Sequence, residues 1–393
     1  MSRLDSAAEV VVAGHVCLDV LPEITHAGPL RFEPGTLAVV GPVTLSTGGC
    51  VPNTGIALHR LGVRVRLIGK VGEDPFGQVV KNLLAEIDPR LADDLVVSPG
   101  DRTSYSVIVS PPDADRMFLH FPGANSTFGA DNVPERGLQD ARILHAGYLP
   151  LLNRMYEKGG TDLKRLLTRA KTSGLATSMD MSYPDPASEA GRVEWAAILR
   201  EVLPYVDFFL PSLDELHLML KMRRAPEEVE PEIVRELAAE VLALGAGAVG
   251  IKLGDRGFYL RTASPAVMSR IGRRLGDFAS DWGERELWAA AFEVKVAGTT
   301  GAGDAAIAGL LMGLLRGMTP EATVKAACAV GACSVERPEA GTGVVSWEAT
   351  TSRVDRGWRR ATLRLGHGWM ELERGVWAGP ADRVSLGKEV RKS

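Results

Sequence analysis

Only four cysteines occur among the 393 residues, Cys17, Cys50, Cys328 and Cys333. None of them has metal-ligand spacing, and Cys328 and Cys333 fall five apart within one helical pattern, so a structural zinc site is not expected. They read instead as small buried hydrophobes of a reducing compartment. No apolar run approaches the length of about 20 residues that a membrane-crossing helix requires. The opening MSRLDSAAEVVVAGHV sets an acid before a short apolar run and then a glycine, unlike a secretory signal. Neither sign of charge dominates: 45 Lys and Arg face 49 Asp and Glu, for a net charge of −4. That balance gives no argument for a nucleic-acid or membrane partner. There is no repeat and no low-complexity segment, and a cytoplasmic enzyme or binding protein is the expectation.

What is abundant is apolar residue, at 45%, and glycine, with 43 residues. This suits an α/β protein rich in tight strand-to-helix turns, as one large or two modest domains. EVVVAGHVCLDV reads as a buried strand ending near Gly14, with Asp19 just beyond. LAVVGPVTLSTGG alternates like exposed sheet, VPNTGIALHRLG reads as a helix, VRVRLIGKVG as a strand and GQVVKNLLAEI as a helix. TSYSVIVSPPDADRMFLHFPGAN reads as a hairpin turning at Pro111, Pro112 and Asp113, part of a small accessory sheet. From ARILHAGYL onward, strands and helices alternate through LATSMDMS, DFFLPSLDEL, EIVRELAAEVLALGA and AVGIKLG, and GFYLRTA adds a hairpin. Such alternation predicts a mostly parallel sheet covered on both faces, with ligands at the carboxyl ends of its strands.

The chemistry gathers in GTTGAGD, residues 298–304, immediately before the apolar helix AAIAGLLMGLL. Gly301, Ala302 and Gly303 can present successive backbone N–H groups where the helix dipole also favours an anion. Asp304 stands beside that cradle, placed to take a proton from an attacking hydroxyl. An aspartate is also favourable at a helix start for its own sake. Two other glycine signatures are absent. The sequence has no G-x-x-x-x-G-K-[ST], and no G-x-G-x-x-G follows the first strand.

A second motif lies some 250 residues upstream, in STGGCVPNTGIALHRLGVRVRLIGKVGEDPFGQVV, with Gly48-Gly49, Asn53, Leu61-Gly62, Gly69, Gly72, Asp74 and Gly77. Together with GTTGAGD it resembles the ribokinase-like, or phosphofructokinase-B type, sugar kinases over about Val10 to Trp347. The resemblance implies a three-layer α/β/α sandwich with a mostly parallel sheet and a small β-sheet lid, whose strands come from about 15–47 and 103–125. Residues 8–350 would form the kinase domain. It further implies phosphoryl transfer from MgATP to a hydroxymethyl group of a sugar or related polyol. Asp304 would be the base and the amides of Gly301, Ala302 and Gly303 the anion hole. Asp19, Gly48, Gly49, Asn53 and Asn125 would meet the acceptor, with Arg116 also near the lid. Lys252, Gly254, Asp255, Gly257, Thr300, Gly303, Ala327 and Gly331 would meet the nucleotide. Glu215 would organise magnesium through water.

Two positions depart from the family pattern. Ser212 stands where an asparagine opens the N-x-x-E element, and Gly298 replaces the acid that helps hold a monovalent cation, so no potassium requirement is expected. The resemblance also implies a homodimer formed through the lid. Residues 351–393 differ in character. From 353 on they carry ten Lys or Arg against five Asp or Glu and three tryptophans, and read as short strands packing on the body or on a second subunit. His145, between Leu144 and Ala146, reads as a core histidine. Asp180 and the HAGYL segment fall at strand ends facing the substrate. The alternatives are a nucleoside kinase of the same fold and a non-catalytic sugar or nucleotide sensor.

Overall fold

The computed structural model describes residues 8–24, 34–35, 37–110, 117–221, 229–337 and 341–384. The expected hairpin turn Pro111–Asp113 and Arg116 lie outside them. Six parallel strands build one side of a ten-stranded sheet, in the spatial order Ala248–Lys252, Phe208–Phe209, Ala176–Met179, Ile143–Gly147, Val10–Gly14 and, at the edge, Val65–Ile68. Beyond Ala248–Lys252 the sheet turns antiparallel, through Phe258–Thr262, Glu286–Ala289, Val376–Ala378 and Met370–Glu373.

The central strands are apolar on both faces because both faces are covered. Val10 and Val12 belong to one core, with Ala57, Leu310 and Val330 of the helices Cys50–Arg60, Ala302–Leu315 and Pro320–Ser334. Val11 and Ala13 belong to the opposite core, with Leu166, Leu199 and Leu237 of Asn153–Thr172, Trp195–Val202 and Pro231–Ala243. Two helix layers thus sandwich one sheet. Among the described residues no helix is long and apolar enough to cross a membrane.

The first strand ends at Gly14 as expected, but a second strand follows it, and one segment read as a single strand is broken. That second strand, Cys17–Pro22, enters a separate four-stranded sheet, carrying Asp19 in mid-strand. VRVRLIGKVG splits at Gly69, and Lys70–Gly72 pairs with Val96–Ser98 instead. The second sheet has the order Val43–Gly48, Cys17–Pro22, Tyr105–Val109, Met117–Phe121. Asp74 fastens its base: the carboxylate accepts from Gly77 N at 2.8 Å, capping the helix Pro75–Ile87, and from Thr103 N at 2.8 Å and Thr103 Oγ1 at 2.7 Å.

The basic C-terminal segment packs on the body. Its strands extend the main sheet, and Trp369 meets the rings of Trp288 at 5.7 Å and Tyr259 at 6.3 Å. Asp382, fully buried, accepts from Arg285 Nε at 2.9 Å and from Glu286 N at 2.9 Å, tying the segment to a buried cation.

Candidate active site

The carboxyl ends of the parallel strands deliver His15, Tyr148, Asp180, Ser212 and Lys252 to one edge of the sheet, and the helix Ala302–Leu315 points its start at the same place. Gly301 makes that start possible, since its φ of 73° lies in the left-handed region where glycine is at ease. The helix start carries no side-chain cap, and Ala302 N donates to Thr299 O at 3.2 Å. Gly301, Gly303 and Asp304 line a cavity of about 1030 Å³ with Lys252, Gly254 and Glu215.

Asp304 is 2% exposed and held by three donors. Thr54 Oγ1 donates to Oδ1 at 3.0 Å, while Asn53 Nδ2 at 3.1 Å and the Tyr148 hydroxyl at 2.7 Å donate to Oδ2. Asn53 and Thr54 sit together in the first turn of Cys50–Arg60, so one helix supplies a donor to each oxygen. Burial pushes the Asp304 carboxyl above the usual carboxylate range; Tyr148, Lys252, Asn53 and Thr54 oppose the shift without cancelling it. Tyr148 holds a left-handed backbone, φ 58° and ψ 41°, which is rare for a non-glycine residue. Such strain gathers at sites where a side chain must be aimed.

Lys252 ends its strand with Nζ 2.5 Å from Asp180 Oδ1 and 3.8 Å from Glu215 Oε2. Burial works against its charge, but the carboxylates of Asp180, Glu215 and Asp304 outweigh burial and hold the ammonium above its ordinary value. The stem lies against the helix start, since a Cβ on Gly303 would come within 3.2 Å of Lys252 Cδ. Glu215 has a local partner as well. Its Oε2 accepts from Ser212 N at 2.6 Å, and Ser212 Oγ accepts from Glu215 N at 3.3 Å. The N-x-x-E departure is therefore a capping box, S-x-x-E, in which serine replaces the asparagine without loss of the helix start.

Asn53 and Tyr148, which hold Asp304, also line a cavity of about 820 Å³ that the small sheet closes. Its register aligns Ser46, Asp19, Ser106 and His120 in one row across four strands. Ser106 Oγ is 2.9 Å from His120 Nδ1, and Cys17 Sγ donates to Asp19 Oδ1 at 3.3 Å. Burial pushes the Asp19 carboxyl up to about 6. Gly49 lines this cavity, whereas Gly48 backs onto Asp19: a Cβ there would sit 2.3 Å from its Oδ2.

The third space, about 500 Å³, is mostly apolar and opens beside the helix start. Gly254, Asp255, Gly257, Gly303, Ala327 and Gly331 all line it, as does Lys252. Thr300 lies instead in the cavity beneath the small sheet, and Thr299 in this one.

The structure thus brings together Asp304, the GAG amides, Asp19, Gly49, Asn53, Lys252 and Glu215. It turns Asn125 away. That side chain is fully buried, accepts from Val16 N at 3.2 Å and donates to Val16 O at 2.9 Å, so it braces the turn between the two sheets. His145 is the core histidine expected, fully buried against Ser178 Oγ at 2.9 Å. Sequence reasoning passed over His15, Thr54, Ser106 and His120 and gave Tyr148 no role. Only Tyr148 carried a signal, as the residue following a strand end in a doubly wound sheet.

Residues 7–347 match the model of the family described as pfkB family carbohydrate kinase. An uncharacterized sugar kinase of Archaeoglobus fulgidus is 26% identical over 263 residues, 67% of this chain and 87% of its own length. Fructokinase-1 of Zea mays is 25% identical over 316 residues, 78% of this chain and 83% of its own. The structure of Arabidopsis thaliana ribokinase complexed with ribose and ATP shares the fold, with a TM-score of 0.67 at 19% identity over 88% of this chain and 98% of that one.

Proposed function

Since this chain belongs to the pfkB family of carbohydrate kinases, phosphotransferases with an alcohol acceptor, we propose that it transfers the γ-phosphoryl of ATP to a hydroxymethyl group of a carbohydrate, with Asp304 as base. The observation that carries the reading is the position of Asp304. It is a buried carboxylate in the first turn of a helix bare of side-chain caps, fixed by three donors of which two, Asn53 and Tyr148, line the acceptor cavity.

The acceptor hydroxyl enters from the cavity of Asp19 and Asn53 and gives its proton to the Asp304 carboxylate. Its oxygen bonds to the γ-phosphorus as the bond to the leaving β-phosphate oxygen breaks, releasing ADP. Transfer of this kind asks the protein mainly for positioning and charge stabilisation. The amides of Gly301, Ala302 and Gly303 and the Lys252 ammonium serve the second need. Adenine would lie against Ala327 and Gly331 in the apolar space. The small sheet excludes water from the acceptor.

Three carboxylates with little exposure, Asp180, Glu215 and Asp304, surround one ammonium. Burial pushes Asp180 up to about 8 against the pull of Lys252, and a cluster that resists further negative charge suits a triphosphate arriving with a divalent cation, which neutralises the phosphate oxygens. Glu215 would hold magnesium through water. With Gly298 in place of an acid, no potassium requirement is proposed.

Coupled ADP release with MgATP over sugars, sugar acids, sugar phosphates and nucleosides tests the reading. Turnover on a sugar is expected; silence across the panel with ATP still bound would favour a sensor.

The outer face of the small sheet supports a homodimer. The row Leu45, Val20, Val107, Leu119 lies opposite the polar row, and Leu119 is 53% exposed. A second copy of this chain would cover it. Light scattering at micromolar concentration should give twice the 42.1 kDa of one chain, and Leu119→Asp should halve that mass. A single-chain mass for the unaltered protein would exclude the dimer. The four buried, unpaired cysteines suit a cytoplasmic location.

A further inference from the structure

Two ring nitrogens in the acceptor cavity have no hydrogen-bond partner. His15 is 2% exposed, and both Nδ1 and Nε2 are buried and unsatisfied. Leaving such atoms unpaired is costly, and native structures seldom do so without reason. The position is also built. The ring stacks on Tyr148 at 5.9 Å and 28°, and lies 5.3 Å from the ring of His120. Gly49, at φ 97°, leaves it room, since a Cβ there would come within 2.4 Å of His15 Nδ1. His15 therefore lines the cavity next to the tyrosine that holds the base, one contact removed from Asp304.

The surroundings state what it can bind. Burial, and then neighbouring His120, depress the basicity of His15, so the ring is neutral at ordinary pH. A neutral imidazole offers one donor and one acceptor. A hydroxyl answers both, whereas a carboxylate or phosphate only accepts. The charged groups lining the cavity among the described residues are Asp19, Asp185, Glu189 and Glu215, with no lysine or arginine. An anionic acceptor would be desolvated among like charges.

We propose that His15 is a specificity-determining residue whose imidazole bonds a hydroxyl of an uncharged polyhydroxyl acceptor, and that the cavity around it rejects sugar acids and sugar phosphates. This rests on the kinase reading above and narrows its acceptor.

The test compares ribose, ribonate and ribose 5-phosphate, and fructose beside fructose 6-phosphate, by coupled ADP release. Wild type, His15→Ala and His15→Gln are assayed in parallel. Calorimetry measures acceptor binding in the presence of ADP, and ATP binding as the check on folding. In wild type a neutral sugar should exceed its charged counterparts by about 100-fold in kcat/KM, the scale of leaving one buried polar group unsatisfied. His15→Ala should raise KM and the acceptor Kd about tenfold, as for one lost hydrogen bond, with kcat and ATP affinity little changed. His15→Gln, which restores a donor and an acceptor, should recover most of the loss. Preference for an anionic member, or acceptor affinity unmoved in His15→Ala, would overturn the proposal while leaving the kinase reading intact. Absence of turnover would overturn the kinase reading, and the binding arm would still decide the role of His15. No binding of either neutral sugar would overturn the role of His15, and only its combination with no turnover on any member would overturn both.

Discussion

Asp304→Asn is expected to lower kcat by roughly 10²–10⁴-fold, the usual contribution of a positioned general base, with ATP affinity within a few-fold of wild type. Asparagine keeps the shape and the hydrogen bonds. Its carbonyl can receive Asn53 and Tyr148, while its amide donates to Thr54 Oγ1, because a threonine hydroxyl can accept where it previously donated. What is lost is the ability to take a proton. Steady-state ADP release, with ATP binding by calorimetry, separates chemistry from folding. A variant within tenfold of wild type would exclude Asp304 as the base.

Lys252→Met should lower kcat by about 10²–10³-fold, the scale of removing one donor that stabilises transition-state charge. It should also move the acid limb of the pH–rate profile upward. The sign follows from the site. The base works deprotonated, so activity falls as pH drops through the pKa of Asp304. Burial already raises that pKa, and Lys252 opposes the rise. Without the ammonium the carboxyl is pushed higher still, and activity is lost at a higher pH. Asp180, 1% exposed, would be left without its counter-ion, and breaking a buried pair by removing one partner is strongly destabilising. Lys252→Met with Asp180→Asn removes that cost, so a kcat still depressed in the double variant assigns the loss to catalysis. An unmoved acid limb would mean that Lys252 does not act on Asp304.

The sequence by itself determined most of the elements and the glycine-rich start of the helix that carries Asp304. Apolar runs such as VVVAG fit only strands buried on both faces, and GAG before an apolar helix announces backbone amides with no side chain in the way. These are local facts, written within a few residues. The end of that strand near Gly14 was readable, but not the strand Cys17–Pro22 beyond it, which belongs to a second sheet whose other strands begin some thirty to a hundred residues later.

Only the tertiary structure decided the cavity beneath the small sheet. Ser46, Asp19, Ser106 and His120 form one row by register between distant strands, and a slip of one residue would have sent all their side chains to the opposite face. Asn125 passes for a ligand in sequence, yet its amide is consumed by the backbone of Val16. Lys252 meets Asp180 across 72 positions, and Tyr148 reaches Asp304 across 156. His15 shows no periodic pattern at all; its meaning lies in what fails to touch its nitrogens. Periodicity records how an element meets solvent and core, and so can be read along the chain. Which side chains converge on one atom depends on the packing of remote segments, and no spacing in the sequence expresses it.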